Sequence, residues 1–225
     1  MSKTTLAILI GAALLFSAPA FAIDGQVLIN QSTVLAAGGF PYKITQPGSY
    51  KLSGNLVVSA ASTDGIEINV SNVTLDLNGF TISGPVTCTG AGSGISCTGT
   101  GGAGIIGPDF HAVAVRNGSV VGFARGVETF YAQVEEIHAM GNAEIGIFAI
   151  EGVVNRNIAS LNGQIGIFAI DSTVTENNAI SNGEYGLEIE GGVYGSNVFE
   201  GNGGTPVFNT GAVSQNNNDC NGSVC

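Results

Sequence analysis

A repeat of twenty residues runs through the C-terminal half of this chain of 225 residues. It is marked by a column of asparagines and a column of glycines, at Asn142, Asn162, Asn182 and Asn202 and at Gly126, Gly146, Gly166 and Gly186. The step is constant over about a hundred residues. A fixed period of this length is typical of stacked coils that are each too small to bury their own apolar face. The repeat therefore predicts a solenoid.

Alternation within the repeat indicates that the coils are made of β-strands. Leu187 and Ile189 alternate with Glu188 and Glu190, and a period of two is the signature of a strand. Such a coil has room for two or three short strands, whereas the units of helical solenoids need about thirty residues or more. We therefore predict an all-β fold, a parallel β-helix with coils of about twenty residues in the C-terminal half.

Stacking the coils at this step predicts which side chains share a face of the sheet. Two inward columns follow, one of Val127, Ile147, Ile167, Leu187 and Val207 and one of Val134, Val154, Val174 and Tyr194. One outward column holds Phe148, Phe168 and Phe208 together with Glu128 and Glu188. We expect Ile150 and Ile170 to face outward beside the phenylalanines. Exposed apolar groups that are stacked in this way often mark an interface.

The asparagines are interpreted as structural. A second asparagine column is predicted at Asn157, Asn177, Asn197 and Asn217. Stacked identical amides can hydrogen-bond from one coil to the next, and asparagine tolerates the left-handed turn conformation. The glycines that accompany the first column suit turns that need a positive φ. We therefore interpret both columns as ladders that hold the turns rather than as ligands.

The N-terminal half is predicted to continue the architecture in longer coils. The turn Asn78-Gly79 recurs as Asn117-Gly118 after 39 residues, close to two coils. A loop bounded by cysteines and the stretch Gly99–Gly107 fill the gap as an insertion. Residues 23–43 are predicted to form an N-terminal cap, because the ends of a solenoid must be covered. Residues 44–225 then form the β-helix domain with a C-terminal cap.

The first segment predicts export. Lys3 precedes an apolar run, Leu6–Phe16, and Ala20-Phe21-Ala22 is a small-x-small cleavage site. The run is shorter than the twenty or so residues that a transmembrane helix needs. We predict a bacterial-type signal peptide at residues 1–22, with an uncleaved anchor as the alternative, and no membrane span after its removal. The mature protein is then periplasmic or secreted.

Four cysteines are consistent with an oxidising compartment. Proximity in sequence favours the pairs Cys88–Cys97 and Cys220–Cys225, although four cysteines allow three pairings. Zinc is the rival interpretation, but neither a CxxC spacing nor a nearby histidine supports it. The chain carries seventeen carboxylates against six lysines and arginines. This acidic balance argues against nucleic acid as a partner, because phosphates demand a basic surface.

Several stretches resemble a known family. Asp64–Ile68 and Val73–Ile82 look like the opening coils of right-handed parallel β-helix proteins of the pectate-lyase-like fold. Asn162–Ile167 is similar to the repeats of carbohydrate-binding proteins and sugar hydrolases, and to those of the periplasmic accessory protein of nitrous oxide reductase. The resemblance covers most of the chain from about residue 44 and implies a right-handed coil. The fold hosts lyases, epimerases, hydrolases, adhesive proteins and accessory factors, so it selects no single activity.

The resemblance also directs attention to carboxylates, since pectate-lyase-like relatives hold Ca²⁺ in a carboxylate cluster beside an arginine or lysine base. Calcium needs several oxygens around one point. Glu151 and Asp171 lie on adjacent coils, and Glu190 lies one column aside on the next coil. These three residues are the candidate Ca²⁺ ligands. A solvated acidic edge is the alternative.

Arg125 and Arg156 are the candidates for a catalytic base. Arg156 falls in a column with Glu136 and Glu176, which favours a structural salt ladder instead. Arg125 is expected to lie diagonal to Glu144. The sequence contains no nucleophile elbow, phosphate loop or metal-type histidine pair. The residue types that perform lyase chemistry are therefore not matched, and the balance favours a protein without catalytic activity.

The outward face supplies the functional hypothesis. Flat aromatic rings at Phe148 and Phe168, beside Ile150 and Ile170 and rimmed by Glu128 and Glu188, can hold a sugar chain through ring contacts and hydrogen bonds to its hydroxyl groups. We therefore predict an exported protein that binds a polysaccharide or a cell-surface partner through this face. A polysaccharide lyase, epimerase or hydrolase is the first alternative. A structural or adhesive module that associates with itself as a homo-oligomer is the second.

Overall fold

The structure, a computed structural model, describes residues 25–107 and 109–225. The predicted signal peptide, residues 1–22, and the first two residues of the predicted cap lie outside this part. The elements of the N-terminal part are β1 (Gln26–Ile29), α1 (Gln31–Ala36), β2 (Tyr42–Ile44), β3 (Gly48–Leu52), β4 (Leu56–Val57), β5 (Ile66–Ile68), β6 (Val73–Asp76), β7 (Thr81–Ser83), β8 (Thr87–Thr89), a 3₁₀ turn (Gly92–Gly94), β9 (Ser96–Thr98) and β10 (Ala103–Gly107).

The remaining elements are all strands. They are β11 (Val113–Val121), β12 (Arg125–Phe130), β13 (Ala132–Met140), β14 (Ile145–Ile150), β15 (Val153–Asn155), β16 (Ile158–Ser160), β17 (Ile165–Ile170), β18 (Thr173–Thr175), β19 (Asn178–Ile180), β20 (Leu187–Glu190), β21 (Val193–Gly195), β22 (Val198–Glu200), β23 (Val207–Thr210), β24 (Val213–Ser214), β25 (Asp219–Cys220) and β26 (Ser223–Val224). The prediction of an all-β fold is confirmed.

The strands stack into a parallel β-helix of about 10 turns. One strand of each coil joins an eight-stranded parallel sheet in the order β2, β5, β10, β12, β14, β17, β20, β23, and the other strands of the coils form a sixteen-stranded sheet. In the eight-stranded sheet Ile147 pairs with Ile167, and Ile167 pairs with Leu187. The register is therefore the twenty-residue step of the sequence.

The core is a stack of inward columns along the axis of the solenoid. Ile147, Ile167 and Leu187 are fully buried, and their column continues through Val127, Ile105 and Ile66, which are also fully buried. The second predicted column, Val134, Val154, Val174 and Tyr194, is buried as well. Since each coil contributes only a few apolar side chains, the core exists only when neighbouring coils cover one another.

Left-handed residues make the corners of each coil. At three places per coil one residue has a φ between about 48° and 85°, which costs an L-residue about 1–2 kcal/mol. The residue of the first corner comes directly after the strand of the eight-stranded sheet. The residues of the second and third corners come directly before the asparagines of the two ladders. The corner columns are Tyr131, Glu151, Asp171, Gly191 and Gly211; Glu136, Arg156, Glu176, Ser196 and Asn216; and Gly141, Leu161, Ser181, Gly201 and Asn221.

The asparagine ladders are confirmed, with one correction. The Asn162 Nδ2 amide donates to Asn182 Oδ1 at 2.9 Å, and Asn177 Nδ2 donates to Asn197 Oδ1 at 3.0 Å. Asn197 Nδ2 donates in turn to Asn218 Oδ1 at 3.0 Å. The assignment of Asn217 to this ladder was therefore wrong: the last coil is one residue longer, and the Asn217 side chain bonds Ser196 instead.

Glycine has two different tasks in the repeat. The positive φ that we predicted for glycines beside the first asparagine column occurs at Gly141 and Gly201, but not at Gly183. There a Cβ atom would collide with the carbonyl oxygen of Gly163 on the preceding coil. Gly146 is likewise required by close packing, because a Cβ would lie 2.6 Å from Asn162 Nδ2. The two columns that define the repeat are thus in contact with each other.

The insertion of the N-terminal half is a hairpin. Thr74 pairs directly with Ala114, so residues between them form one long coil rather than two. Within that coil β10 (Ala103–Gly107) is an ordinary strand of the eight-stranded sheet, so most of the stretch Gly99–Gly107 is not part of the insertion. The extra length is the antiparallel pair β8–β9, closed by the disulfide Cys88–Cys97. We call residues 87–98 the strap.

The strap lies along the third corner across four coils. At its base Cys88 Sγ is 3.3 Å from Gly141 O. Near its tip the Gly92 amide donates to Ser181 O at 3.0 Å. Positions 163, 183 and 203 of the coils beneath it are glycines, and a Cβ there would meet Cys97, Ile95 and Ser93 of the strap. The strap therefore links coils that are far apart in sequence.

The two ends of the solenoid are closed differently. At the N-terminal end the helix α1 (Gln31–Ala36) packs on the core through Val34, which is fully buried. At the C-terminal end β26 pairs antiparallel with β25, and the disulfide Cys220–Cys225 closes this hairpin. Both predicted cysteine pairings are confirmed, and the structure describes no free cysteine.

Thr129 → Val is expected to raise the free energy of unfolding by about 1 kcal/mol. Thr129 is 1% exposed, and its Oγ1 finds no hydrogen-bond partner among the described residues. Replacing this hydroxyl by a methyl group of the same shape removes the cost of a buried, unpaired polar atom. Urea unfolding measures the change, and Thr173 → Val in the half-buried position of β18 is the control. A destabilised Thr129 variant would mean that the hydroxyl is solvated in the core.

Candidate functional site

The outer surface of the eight-stranded sheet carries a stack of aromatic side chains. Phe148 pairs with Phe168 in register, and their ring centroids are 5.2 Å apart in an edge-to-face arrangement. The ring of Phe130 lies 6.1 Å from that of Phe148. Ile150 and Ile170 pair with each other beside them and, like the three rings, are half-buried. We call these five outward side chains the aromatic face.

Phe148 and Phe168 are outward because the strand alternates. Their neighbours Ile147, Ala149, Ile167 and Ala169 are buried in the core, so residues of the opposite parity must face away from it. The predicted outward column is therefore confirmed in its register: Glu128 pairs with Phe148, and Phe168 pairs with Glu188. Two carboxylates thus bracket the two rings along the axis of the solenoid.

Arg125 is held at one end of the aromatic face. Its Nη1 lies 3.0 Å from Glu128 Oε2, and its Nε lies 3.5 Å from Glu144 Oε2. The guanidinium carbon is 5.5 Å from the ring centroid of Phe148, within the range of a cation–π contact. The predicted approach to Glu144 is confirmed. Arg125 is therefore engaged by two carboxylates and a ring, and these contacts hold its guanidinium in place.

Glu188 marks the other end of the aromatic face. Here Tyr185 takes the place that Arg125 has on its own strand, three residues before the glutamate. Tyr185 stacks on Phe208, with centroids 5.2 Å apart and planes inclined by 20°. Burial raises the pKa of the Glu188 carboxyl above its usual value, and the charges of Glu190 and Glu184 raise it further. Its ionised form therefore lacks the compensation that Glu128 receives from Arg125.

A groove follows the first corner, beside the aromatic face. It has a volume of about 950 Å³ and is lined by Tyr131, Gln133, Glu151, Asp171 and Thr173, among other residues. Glu151 and Asp171 are successive corner residues with φ of 50° and 48°, and both are exposed. The groove is open to solvent, and the ring centroids of Tyr131 and His111 are 4.4 Å apart.

The three candidate calcium ligands do not form a cluster. Glu151 and Asp171 both line the groove, but Glu190 lies on the sheet, where it pairs with Ile170. In residues 25–107 and 109–225 no three histidine, cysteine, aspartate or glutamate side chains are grouped so that they could hold a metal ion. Calcium requires several oxygens around one point, and these three side chains do not supply them.

Arg156 lies away from both features. It is a residue of the second corner, and its Nη2 is 3.1 Å from Glu135 Oε2, while its Nε is 3.4 Å from Glu136 Oε1. The predicted salt ladder is therefore present toward Glu136, although no ion pair with Glu176 occurs within the described residues. An arginine that is paired twice at an exposed corner has the role of a structural cation.

Sequence reasoning missed Tyr185 and Tyr131. Tyr185 follows Ile165 by the twenty-residue step, but Ile145 and Ile165 are buried, so the column itself gave no sign that Tyr185 stacks on the outward Phe208. The same register puts Tyr131 at the head of the corner column that contains Glu151 and Asp171. Extending the corner column by one coil would have brought Tyr131 into the candidate site.

Comparisons with known proteins assign the chain to no family. No protein-family model matches it, and neither a curated protein nor a solved structure matches it. Within residues 25–107 and 109–225 no helix is long and apolar enough to cross a membrane.

Proposed function

We propose that this protein is exported and binds a polysaccharide along the aromatic face. The observation that carries the proposal is the pair Phe148 and Phe168, whose rings face outward on neighbouring rungs with centroids 5.2 Å apart. The two ring planes are inclined by 77°, so the C–H groups of a sugar chain would pack against the face of one ring and the edge of the other. Rungs of a sheet are about 4.8 Å apart, close to the length of one pyranose unit, so a chain along the axis meets one rung per sugar.

The polar rim supports the same function. Carboxylates accept hydrogen bonds and do not donate them, so Glu128, Glu188 and Glu190 offer acceptors to sugar hydroxyl groups beside the rings. The groove at the first corner adds further polar groups on the next side of the coil, the amide of Gln133 and the hydroxyl of Thr173. An apolar centre with a polar border offers a sugar chain both ring contacts and hydrogen-bond acceptors.

Two observations support export. The disulfides Cys88–Cys97 and Cys220–Cys225 form and persist in oxidising compartments. The apolar segment Leu6–Phe16 and its small-x-small sequence favour a signal peptide. The likeness of Asn162–Ile167 to carbohydrate-binding repeats is consistent with a sugar ligand outside the cytoplasm.

The proposal is tested by affinity electrophoresis in gels that contain hydroxyethyl cellulose, glycol chitosan or pectate. We expect retardation of the wild-type protein by at least one of these polymers. Phe148 → Ala and Phe168 → Ala should each weaken binding about twofold to tenfold, because one aromatic contact contributes about 0.5–1.5 kcal/mol. Met140 → Ala, which truncates an exposed apolar side chain on the other sheet, is the matched control.

The outcomes separate the hypotheses. Retardation that is equal in all four proteins would place the ligand elsewhere, and a lack of retardation in every gel would reject the proposal. Sedimentation of the same variants measures their mass in solution. If the phenylalanine variants become monomers while the wild type is an oligomer, the aromatic face is a contact between subunits. Release of unsaturated sugar products would instead indicate a lyase.

A further inference from the structure

The strap, residues 87–98, has no hydrophobic core of its own. Apart from its two cysteines it consists of glycine, serine, threonine, one alanine and a single large apolar residue, Ile95. Its strands β8 and β9 pair over only three residues each. An isolated two-stranded hairpin is marginally stable at best in water. The strap therefore needs a constraint other than its own packing to keep its shape.

The coils beneath the strap hold it through few polar contacts. The residue directly before it, Val86, is anchored, because its amide donates to Gly122 O at 2.8 Å. Among the described residues a single backbone hydrogen bond joins the strap itself to the coils, from the Gly92 amide to Ser181 O at 3.0 Å. One bond of this kind is too weak to offset the conformational entropy that twelve residues lose when they become ordered.

The disulfide Cys88–Cys97 supplies the missing constraint. It joins directly opposite residues of β8 and β9, so it fixes the register of the hairpin and closes the loop that forms its tip. Such a crosslink acts mainly by restricting the conformations of the open chain. Its sulfur atoms also lie near the third corner, with Cys88 Sγ 3.3 Å from Gly141 O and Cys97 Sγ 4.0 Å from Asn142 O. The same bond therefore shapes the strap and contacts the corner.

The contacts at the tip depend on that shape. Gly92 is buried, and a Cβ there would lie 2.7 Å from Gly201 O. A Cβ at Gly203 would in turn lie 2.6 Å from the backbone nitrogen of Ser93. Backbone approaches backbone this closely only when both segments follow one fixed path. A hairpin that gains the freedom of an open loop cannot keep such contacts across four coils.

We infer that the strap is a redox-sensitive latch, which is docked on the third corner when Cys88 and Cys97 are joined and is released when they are reduced. The disulfide is accessible to a reductant, because both cysteines are half-buried and the flanking Thr87 and Thr98 are exposed. Release uncovers the glycines of the third corner and removes the link between the coils that the strap crosses. The latch is independent of any sugar ligand.

The switching step is a thiol–disulfide exchange with a dithiol as the reductant. One thiolate of the dithiol attacks a sulfur of the Cys88–Cys97 bond, and its second thiol group then displaces the protein sulfur from the mixed disulfide. The two cysteines gain two electrons and two protons and become thiols, while the dithiol is oxidised to a disulfide. A disulfide oxidant reverses the step. The latch is therefore open in a reducing cytoplasm and closed in an oxidising compartment.

Hydrogen exchange followed by mass spectrometry tests the latch. The starting protein carries Cys220 → Ser and Cys225 → Ser, so its only disulfide is that of the strap. We expect dithiothreitol to accelerate exchange in residues 87–98 and 181–205 by about tenfold or more, with residues 66–76 unchanged. Diamide should restore the slow rates. Labelling with iodoacetamide confirms that both thiols have formed.

The reciprocal variant, Cys88 → Ser with Cys97 → Ser, is the matched control. Its strap should exchange fast without reductant, and dithiothreitol should change only the C-terminal hairpin, residues 219–225. The wild type gives the same comparison region by region, so the test does not depend on the folding of either variant.

Three outcomes would overturn the latch. The first is slow exchange in the strap after labelling has confirmed its reduction. The second is a disulfide that dithiothreitol does not reduce in the folded protein. The third is fast exchange that diamide does not reverse, because the disulfide would then assist folding without acting as a switch.

Discussion

Replacing Asn177 by alanine is expected to lower the free energy of unfolding by about 3 kcal/mol. Asn177 is fully buried, and its Oδ1 accepts hydrogen bonds from the backbone N–H and the side-chain amide of Asn157, at 2.9 and 3.0 Å. Its Nδ2 donates to Val154 O at 2.9 Å and to Asn197 Oδ1 at 3.0 Å. Alanine would leave several buried partners unpaired, at about 1–3 kcal/mol each.

Chemical denaturation with urea measures this loss. Asn178 → Ala is the matched control, because the adjacent asparagine lies on the outward side of β19, is half-buried, and should change stability by about 0.5 kcal/mol or less. Similar unfolding curves for the two variants would show that water replaces the amide inside the coil. That result would contradict the role of the ladder in holding the corners.

The second large effect is expected at Gly183. Alanine there should destabilise the protein by about 3 kcal/mol, because the added Cβ would collide with the carbonyl oxygen of Gly163 and lie 2.8 Å from Ile95 Cγ2. The carbonyl is part of the backbone of the neighbouring coil, whose Gly163 amide donates to Asn142 O at 2.7 Å, so it has little freedom to move away. The strap can move, so we also expect it to detach from the corner.

Urea unfolding and limited proteolysis between Cys88 and Cys97 report the two parts of this effect. Gly94 → Ala is the control: it lies in the strap itself, and its Cβ would meet no atom within 4 Å. Proteolysis of the Gly183 variant should be faster than that of the control. Equal cleavage rates would mean that the strap does not depend on the small residues beneath it.

The stacking and the faces of the sheet could be predicted because the period is a whole number of residues. When Ile147, Ile167 and Leu187 recur at one step, the hydrogen-bonding register has a single solution that buries all three. The same step assigns Phe148 and Phe168 to one outward column, and the structure confirms their register. The ladders of asparagine followed from the chemistry of stacked amides.

The structure differs from the prediction in two kinds of place. One is where a coil is not twenty residues long, and the other is where a long side chain can reach more than one partner. One extra residue in the last coil moves the ladder from Asn217 to Asn218. The sequence of residues 87–98 does not indicate which corner the strap covers, because its contacts are with residues more than 40 positions away in the chain. Arg156 pairs with Glu135 as well as Glu136, and side-chain reach of this kind is not specified by a column.

The candidate site was likewise predictable in part. The rings and their bracketing carboxylates, Glu128 and Glu188, follow from strand alternation. Arg125 as their structural cation does not, since its three partners lie on two coils and only the contact with Glu144 was expected. The predicted calcium ligands were adjacent in register, but a corner residue and a strand residue point in different directions. Proximity of columns therefore identified a surface without identifying an ion site.

The strap constrains how the number of repeat units can change during evolution. In most solenoids each unit touches only its neighbours, so units can be duplicated or lost without penalty to the others. Here a hairpin of fixed length meets Gly141 at its base and Gly203 near its tip. A unit gained or lost between these positions would shift every contact beneath the hairpin by one coil. The length of the hairpin therefore fixes the number of coils between Gly141 and Gly203.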